Sequence, residues 1–251
     1  MSTDHAPTPR REFIGQLATA AVTLAGAAAC TPAATNRAAA TPAPTAGGAG
    51  PGAATTTAAT PAATTAAPRK WDDAWVTRIT AKHRAVFDAP EVAEGIVLAN
   101  AFIYMRSYSE VYGVADGDVQ AVLVVRHRAV PLLLADALWE RYDLGTQVRL
   151  RDEKTGKWAR RNPFAVVDPG DPNAMPGLSL TALHERGALL LCCNLALMNL
   201  GGRLAKATKR DAASVRAELR SGLLPGVELV PSGIFGVMRA QEAGCTYMRS
   251  T

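Results

Sequence analysis

Aromatic residues, cysteine and histidine are all scarce in this chain: Phe, Trp and Tyr make up 6% of 251 residues, with four Cys and four His. Four cysteines spread over that length cannot frame a small disulfide scaffold. No C-x-x-C pair, no H-E-x-x-H, no P-loop and no G-x-G-x-x-G occurs. The patterned zinc, nucleotide and dinucleotide sites therefore have no support, and neither a metal nor a cofactor is indicated. Charge of one sign is missing too. Three basic residues (Arg10, Arg11, Arg37) and two acids (Asp4, Glu12) precede Arg69, leaving 24 Lys+Arg against 20 Asp+Glu, a net of +4. That mixture does not imply a nucleic-acid partner.

Residues 1–30 read as a targeting segment, to be kept out of fold reasoning. Arg10-Arg11-Glu12-Phe13-Ile14 resembles the twin-arginine export signature, and a weakly apolar, Ala-rich stretch follows from Ile14 to Ala29. That stretch is too short and too small in side chain for a membrane span. Ala27-Ala28-Ala29 offers a signal-peptidase site. Cys30 is instead a candidate lipidation site, although a lipobox would place Leu where Ala27 stands. Residues 31–68 are Ala, Thr, Pro and Gly apart from Asn36 and Arg37, the latter the only charge. Such a segment buries too little to offset its ordering entropy and reads as a disordered tether. The expected destination is outside the cytoplasm, with the membrane reached only through the signal or a lipid anchor.

From Arg69 to Thr251 the composition changes, and Trp, charges and aliphatic runs appear. This length is enough for one α/β domain with a real core. Trp71–Thr80 predicts a short helix, His83–Phe87 a strand, and Pro90 or Glu91 to about Tyr112 a long helix. Gln120–Val125 predicts a second buried strand, followed by Arg126-His127-Arg128. Pro131 fits the first turn of a helix over LLLADALWERY. Residues 143–178, rich in charge, Gly and Pro, predict an insertion built as a loop or small hairpin. Leu180–Arg186 predicts a helix, and Ala188–Leu191 a buried strand ending in Cys192 and Cys193. Helices follow over Asn194–Ala207 and Asp211–Ser221, then a strand over Val227–Val230, a helix over Ile234–Glu242 and a last strand over Cys245–Met248. Strands alternating with helices mean βαβ units and a parallel sheet.

The stretch GALLLCCNLALMNL, Gly187–Leu200, carries the chemistry. It places two thiols at the carboxyl end of a strand, with Asn194 as the expected N-cap of the next helix. Ligands of open α/β sheets sit at that edge, and a helix N-terminus lowers a thiol's pKa. Against this, free cysteine usually packs as a small hydrophobe. Neighbours on a strand point to opposite faces, so only one of the two can face the crevice. Cys245 starts the last strand, at the opposite edge, and reads as core. His127, Arg126 and Arg128 form a candidate anion site, weighed against a solvated basic turn. Asn194 joins them as a ligand-binding candidate. His83 and His184 read as structural, and a metal site from Cys192, Cys193 and His127 is the remotest option, for lack of diagnostic spacing.

Three segments resemble the DsrE/DsrF-like family, which includes sulfur-relay proteins of the TusD type. They are HRAVFD with the long helix bearing Asn100, LTALHERGALLLCCN, and LLPGVELVPSGIFGVMRAQEAGCTYMRS, whose PGV, PSG and terminal Gly keep the family's order and spacing. The resemblance spans Lys82–Tyr142 and Leu180–Arg249. It implies a flavodoxin-like five-stranded parallel sheet with helices on both faces, assembly as a homotrimer or homohexamer, and Cys192 as a persulfide-bearing cysteine. Arg126-His127-Arg128 stands where relatives have a His-Gly-like turn, and export separates this chain from cytosolic relays.

Two functions follow. One is a cysteine-dependent sulfur carrier, exchanging sulfur with a donor or acceptor protein. The other is a non-catalytic oligomeric binding module for a small anion or a protein partner. Whether the chain is an enzyme depends on which holds.

Overall fold

The computed structural model describes residues 71–166, Gly170, Met175 and 177–251. The expected export signal, Cys30 and the expected tether lie outside the described residues. Five strands alternate with helices: β1 His83–Ala89, β2 Val119–Val125, β3 Leu189–Cys193, β4 Val227–Val230 and β5 Thr246–Arg249. The helices are α1 Ile96–Tyr112, α2 Asp136–Arg141, α3 Leu144–Gln147, α4 Leu180–Glu185, α5 Asn194–Thr208, α6 Ala212–Ser221 and α7 Gly233–Glu242. All strand pairs are parallel, in the order β4-β3-β2-β1-β5. The architecture is a flavodoxin-like α/β sheet with helices on both faces.

β2 and β3 are near-continuous apolar runs, and β1 is apolar over Ala85–Phe87, because a central parallel strand is covered on both faces. Val125 and Cys192 are register partners, as are Cys193 and Val230. One face is α7's. Val86, Val122, Val124, Leu189, Leu191 and Val230 pack there with Val237 and Ala240 of α7, together with Trp75, Ile79 and Cys245. The other face takes α1 over β1 and β2, and α5 over β3. The topology explains the division. Strands β1 to β4 advance in one direction, whereas the chain must cross back to reach β5 beyond β1. With right-handed crossovers the returning helix lies on the opposite face.

The sequence expectations fail in four places, each for a local reason. The first predicted helix shrinks to a 3-10 turn at Ala74–Arg78, which delivers Trp75 to the core. The long helix starts at Ile96, not Pro90, because Ala93, Glu94 and Gly95 take positive φ of 39°, 53° and 83°. Gly95 is needed there: a Cβ would meet the Phe164 ring. That contact also shows that the 143–178 insertion contributes to the core, since Phe164 is fully buried. Third, LLLADALWERY is not one helix. His127–Leu133 forms a 3-10 turn containing Pro131, and Leu134 bridges Leu223 before α2 begins. Leu132, Leu133 and Leu134 are wholly buried, so core packing overrides helical propensity there. Fourth, Asn194 is the first helical residue of α5, and Cys193 takes the N-cap position. Within the insertion, α3 precedes a small hairpin closed by an Arg151–Trp158 bridge.

No helix among the described residues is long and apolar enough to cross a membrane.

Candidate functional site

Parallel strands bring the ends of β1, β2 and β3 to one edge, and the alternation of side chains decides which face each residue serves. Asp88 and Cys193 follow the parity of Val86 and Leu191, which places them on the α7 face. Arg126 extends the β2 series Val122, Val124 on the same side. An ion pair results, with Asp88 buried and Arg126 half-buried. Arg126 Nε donates to Asp88 Oδ1 at 2.7 Å and Nη2 to Oδ2 at 2.9 Å. Tyr247 Oη, from β5, donates to Asp88 Oδ2 at 3.1 Å. The backbone fixes both partners: Arg126 N donates to Ala89 O at 3.0 Å, and Ser250 N to Asp88 O at 2.8 Å. Ser250, itself buried, accepts from Asn100 Nδ2 at 3.1 Å.

The Arg126 stem crosses the start of α7, where only glycine fits. A Cβ on Gly233 would stand 2.6 Å from Arg126 Cβ. Between this stem, α7 and β5 lies a groove of about 310 Å³ lined by Asp88, Arg126, Ile234, Val237, Met238, Gln241 and Tyr247. Its walls are apolar and its floor is the ion pair. The hydrogen bond to Asp88 raises the Arg126 pKa, aided by the charge of Asp88 and against the effect of burial. Desolvation, then the bond to Asp88, raises that of Tyr247.

The two thiols part company. Cys192 is 0% exposed, on the face opposite the groove, and burial followed by the neighbouring Cys193 pushes its pKa far above the usual thiol range. Cys193 is 6% exposed. Its Sγ accepts from Ala196 N at 3.4 Å, capping α5, and it lies close enough to Arg126 to act on that charge. Cys245 sits at the amino end of β5, with its thiol pushed up to about 11 by burial. All three are free thiols.

The other candidates are drawn apart. His127 is exposed, has φ of 52° and pairs with Glu91 at 3.4 Å, and Arg128 is exposed. Asn194 Oδ1 accepts from Arg220 Nη2 at 3.1 Å, on the side of α6. Of the three-residue basic turn only Arg126 enters the groove. No group of three or more His, Cys, Asp or Glu fit to hold a metal ion lies among the described residues. Sequence reasoning missed Asp88, Tyr247 and Gln241. Asp88 left a readable signal, an acid closing an apolar strand at the edge where ligands sit. Tyr247 and Gln241 left none, because their role depends on the crossover that returns β5 beside β1.

No protein-family model and no curated protein matches the chain. Among solved structures it is similar to a protein of unknown function from Methanobacterium thermoautotrophicum, at 18% identity, with 66% of this chain and 98% of that chain covered and a TM-score of 0.35.

Proposed function

We propose that the folded domain is a non-catalytic binding module whose ligand occupies the groove beside Asp88, Arg126 and Tyr247. One observation carries this reading: the groove is open at the carboxyl edge, while the adjacent thiols are 0% and 6% exposed. A sulfur carrier must present a thiolate to another protein, and burial opposes the access at both positions and, at Cys192, the charge as well. The test is mass spectrometry of the native full chain after exposure to an inorganic polysulfide, whose terminal sulfane sulfur a cysteine thiolate can take while the shortened polysulfide leaves. Unmodified thiols are the expected result. Added sulfur on Cys193 would replace the binding module with the carrier.

The carrier reading retains one specific observation in its favour. Cys193, not Cys192, has the surroundings of a functional sulfur, with a backbone N–H donor at 3.4 Å and the Arg126 guanidinium nearby. The DsrE/DsrF-like resemblance supports the carrier as well. Under either reading we place the domain outside the cytoplasm, delivered by the twin-arginine route and assembled as a homotrimer or homohexamer. Replacing Arg10 and Arg11 with Lys should leave the precursor in the cytoplasm, and light scattering on the full chain reads the assembly.

A further inference from the structure

The groove's hydrogen-bonding capacity is one-sided. Asp88 is committed: Oδ1 accepts from Arg126 Nε, Oδ2 accepts from Arg126 Nη2 and Tyr247 Oη, and the side chain is 5% exposed. Three of the carboxylate's roughly four acceptor sites are thus filled, and its burial leaves little of it to an entering cation. Arg126 is the reverse case. A guanidinium carries five N–H donors, two of these face Asp88, and no other side chain or carbonyl among the described residues takes the rest. With 29% of the side chain exposed, those donors are within a ligand's reach. Gln241 adds an exposed amide to the lining. The walls are hydrocarbon: Ile234, 67% exposed, and Met238, 53% exposed, stand one helical turn apart on α7 above Val237.

We infer that the groove binds a small amphipathic carboxylate. Its head meets the outer side of Arg126 and its hydrocarbon body lies along Ile234, Val237 and Met238. This rests on the binding-module reading and names its ligand. A planar carboxylate matches the guanidinium fork. Asp88 already balances Arg126, so an entering anion gains from the remaining guanidinium donors and is opposed by Asp88; a carboxylate meets that opposition with one charge and a phosphate with about two. A volume of about 310 Å³ is at the small end for ligand pockets, which fits a chain of a few carbons.

The test is a titration of the isotope-labelled full chain with hexanoate, hexan-1-ol and hexylammonium, followed through amide signals of α7 and β5. Hexanoate should shift Ile234, Met238 and Tyr247 saturably and bind about ten-fold tighter than hexan-1-ol, the gain from a charge-assisted hydrogen bond. Hexylammonium should bind more weakly than either. Met238→Lys and Met238→Glu remove the same exposed apolar contact and differ in the sign of the added charge. The Lys variant should hold hexanoate at least about five-fold tighter than the Glu variant. Equal binding of the three probes, equal binding by the two variants, or no shifts on α7 and β5 would overturn the inference. If that happens while the thiols stay inert to polysulfide, the carboxylate fails and the binding module stands. Sulfur taken up by Cys193 removes the binding module whatever hexanoate does.

Discussion

Cys192 and Cys193 are consecutive in sequence and share one strand, yet they occupy different physical worlds. Cys192 closes the core face under the helices, with no polar partner and no path to water. Cys193, one residue on, turns to the α7 face, accepts the free N–H of Ala196 and stands near the Arg126–Asp88 pair. A single step of strand alternation separates a packing residue from one at the edge of a polar site. The lesson extends along the carboxyl edge: what a residue can do there depends on its parity, more than on its chemical type.

The comparison breaks most visibly at the ion pair. Arg126→Ala leaves the carboxylate of Asp88 buried without its partner, and that should cost about 3 kcal/mol of stability, the usual penalty for orphaning a buried charge. Asp88→Asn combined with Arg126→Gln removes both charges and should recover most of the loss. Urea denaturation of both variants measures the difference. If Arg126→Ala is nearly neutral, the groove floor is wetter than the geometry implies.

The thiols themselves come next. Serine at 192 would bury a hydroxyl on the sealed face and should cost about 2 kcal/mol. At 193 serine is a preferred N-cap and can accept from Ala196 N as the sulfur does, so Cys193→Ser should change stability by less than about 0.5 kcal/mol. Equal costs would mean that the two positions are not distinguished as described. Iodoacetamide labelling of the native chain should follow the same order, Cys193 first and Cys192 last.

A smaller effect sharpens the contrast in alkali. Burial raises the thiols of Cys192 and Cys245, the latter to about 11, and the Tyr104 hydroxyl to about 12 through burial, the nearby Tyr108 and Cys245. A folded pKa above the unfolded value stabilises fully below the unfolded pKa and loses that contribution as pH rises toward the folded one. For Cys245 the window runs from about pH 9 to 11, and its contribution to stability is lost as pH rises through it. The melting temperature should fall across it, and Cys245→Ala should shallow the slope. An unchanged slope would place Cys245 in contact with water.

Much of this was legible in the chain, and what was not has physical causes. The strands were readable because apolar runs such as QAVLVV have no other stable home. The edge location of the thiols followed from strand-then-helix order alone. Helix starts were less readable. Ala93, Glu94 and Gly95 take left-handed φ, and the ring that packs where a Cβ on Gly95 would stand belongs to Phe164, some seventy positions later, which no local pattern announces. The pairing of Asp88 with Arg126 was hidden for the same reason. Each residue was visible, but only the β1–β2 register sets them side by side.

The smallest expected effect concerns the rim, where the basic turn leaves the site. His127 holds φ of 52°, a region that disfavours most side chains, and its ring is 61% exposed beside Glu91 at 3.4 Å. An exposed pair of this kind contributes little, because water and salt screen it. The backbone term acts the other way. Asparagine tolerates left-handed φ better than histidine does, since its short polar side chain bonds locally. His127→Asn should therefore raise stability by a few tenths of a kcal/mol, about 0.3, and leave hexanoate binding unchanged. Arg128→Ala, exposed and outside the groove, should be neutral within about 0.5 kcal/mol. A loss above about 1 kcal/mol for His127→Asn, or weaker hexanoate binding, would return His127 to the site and extend the polar floor from Arg126 around the turn.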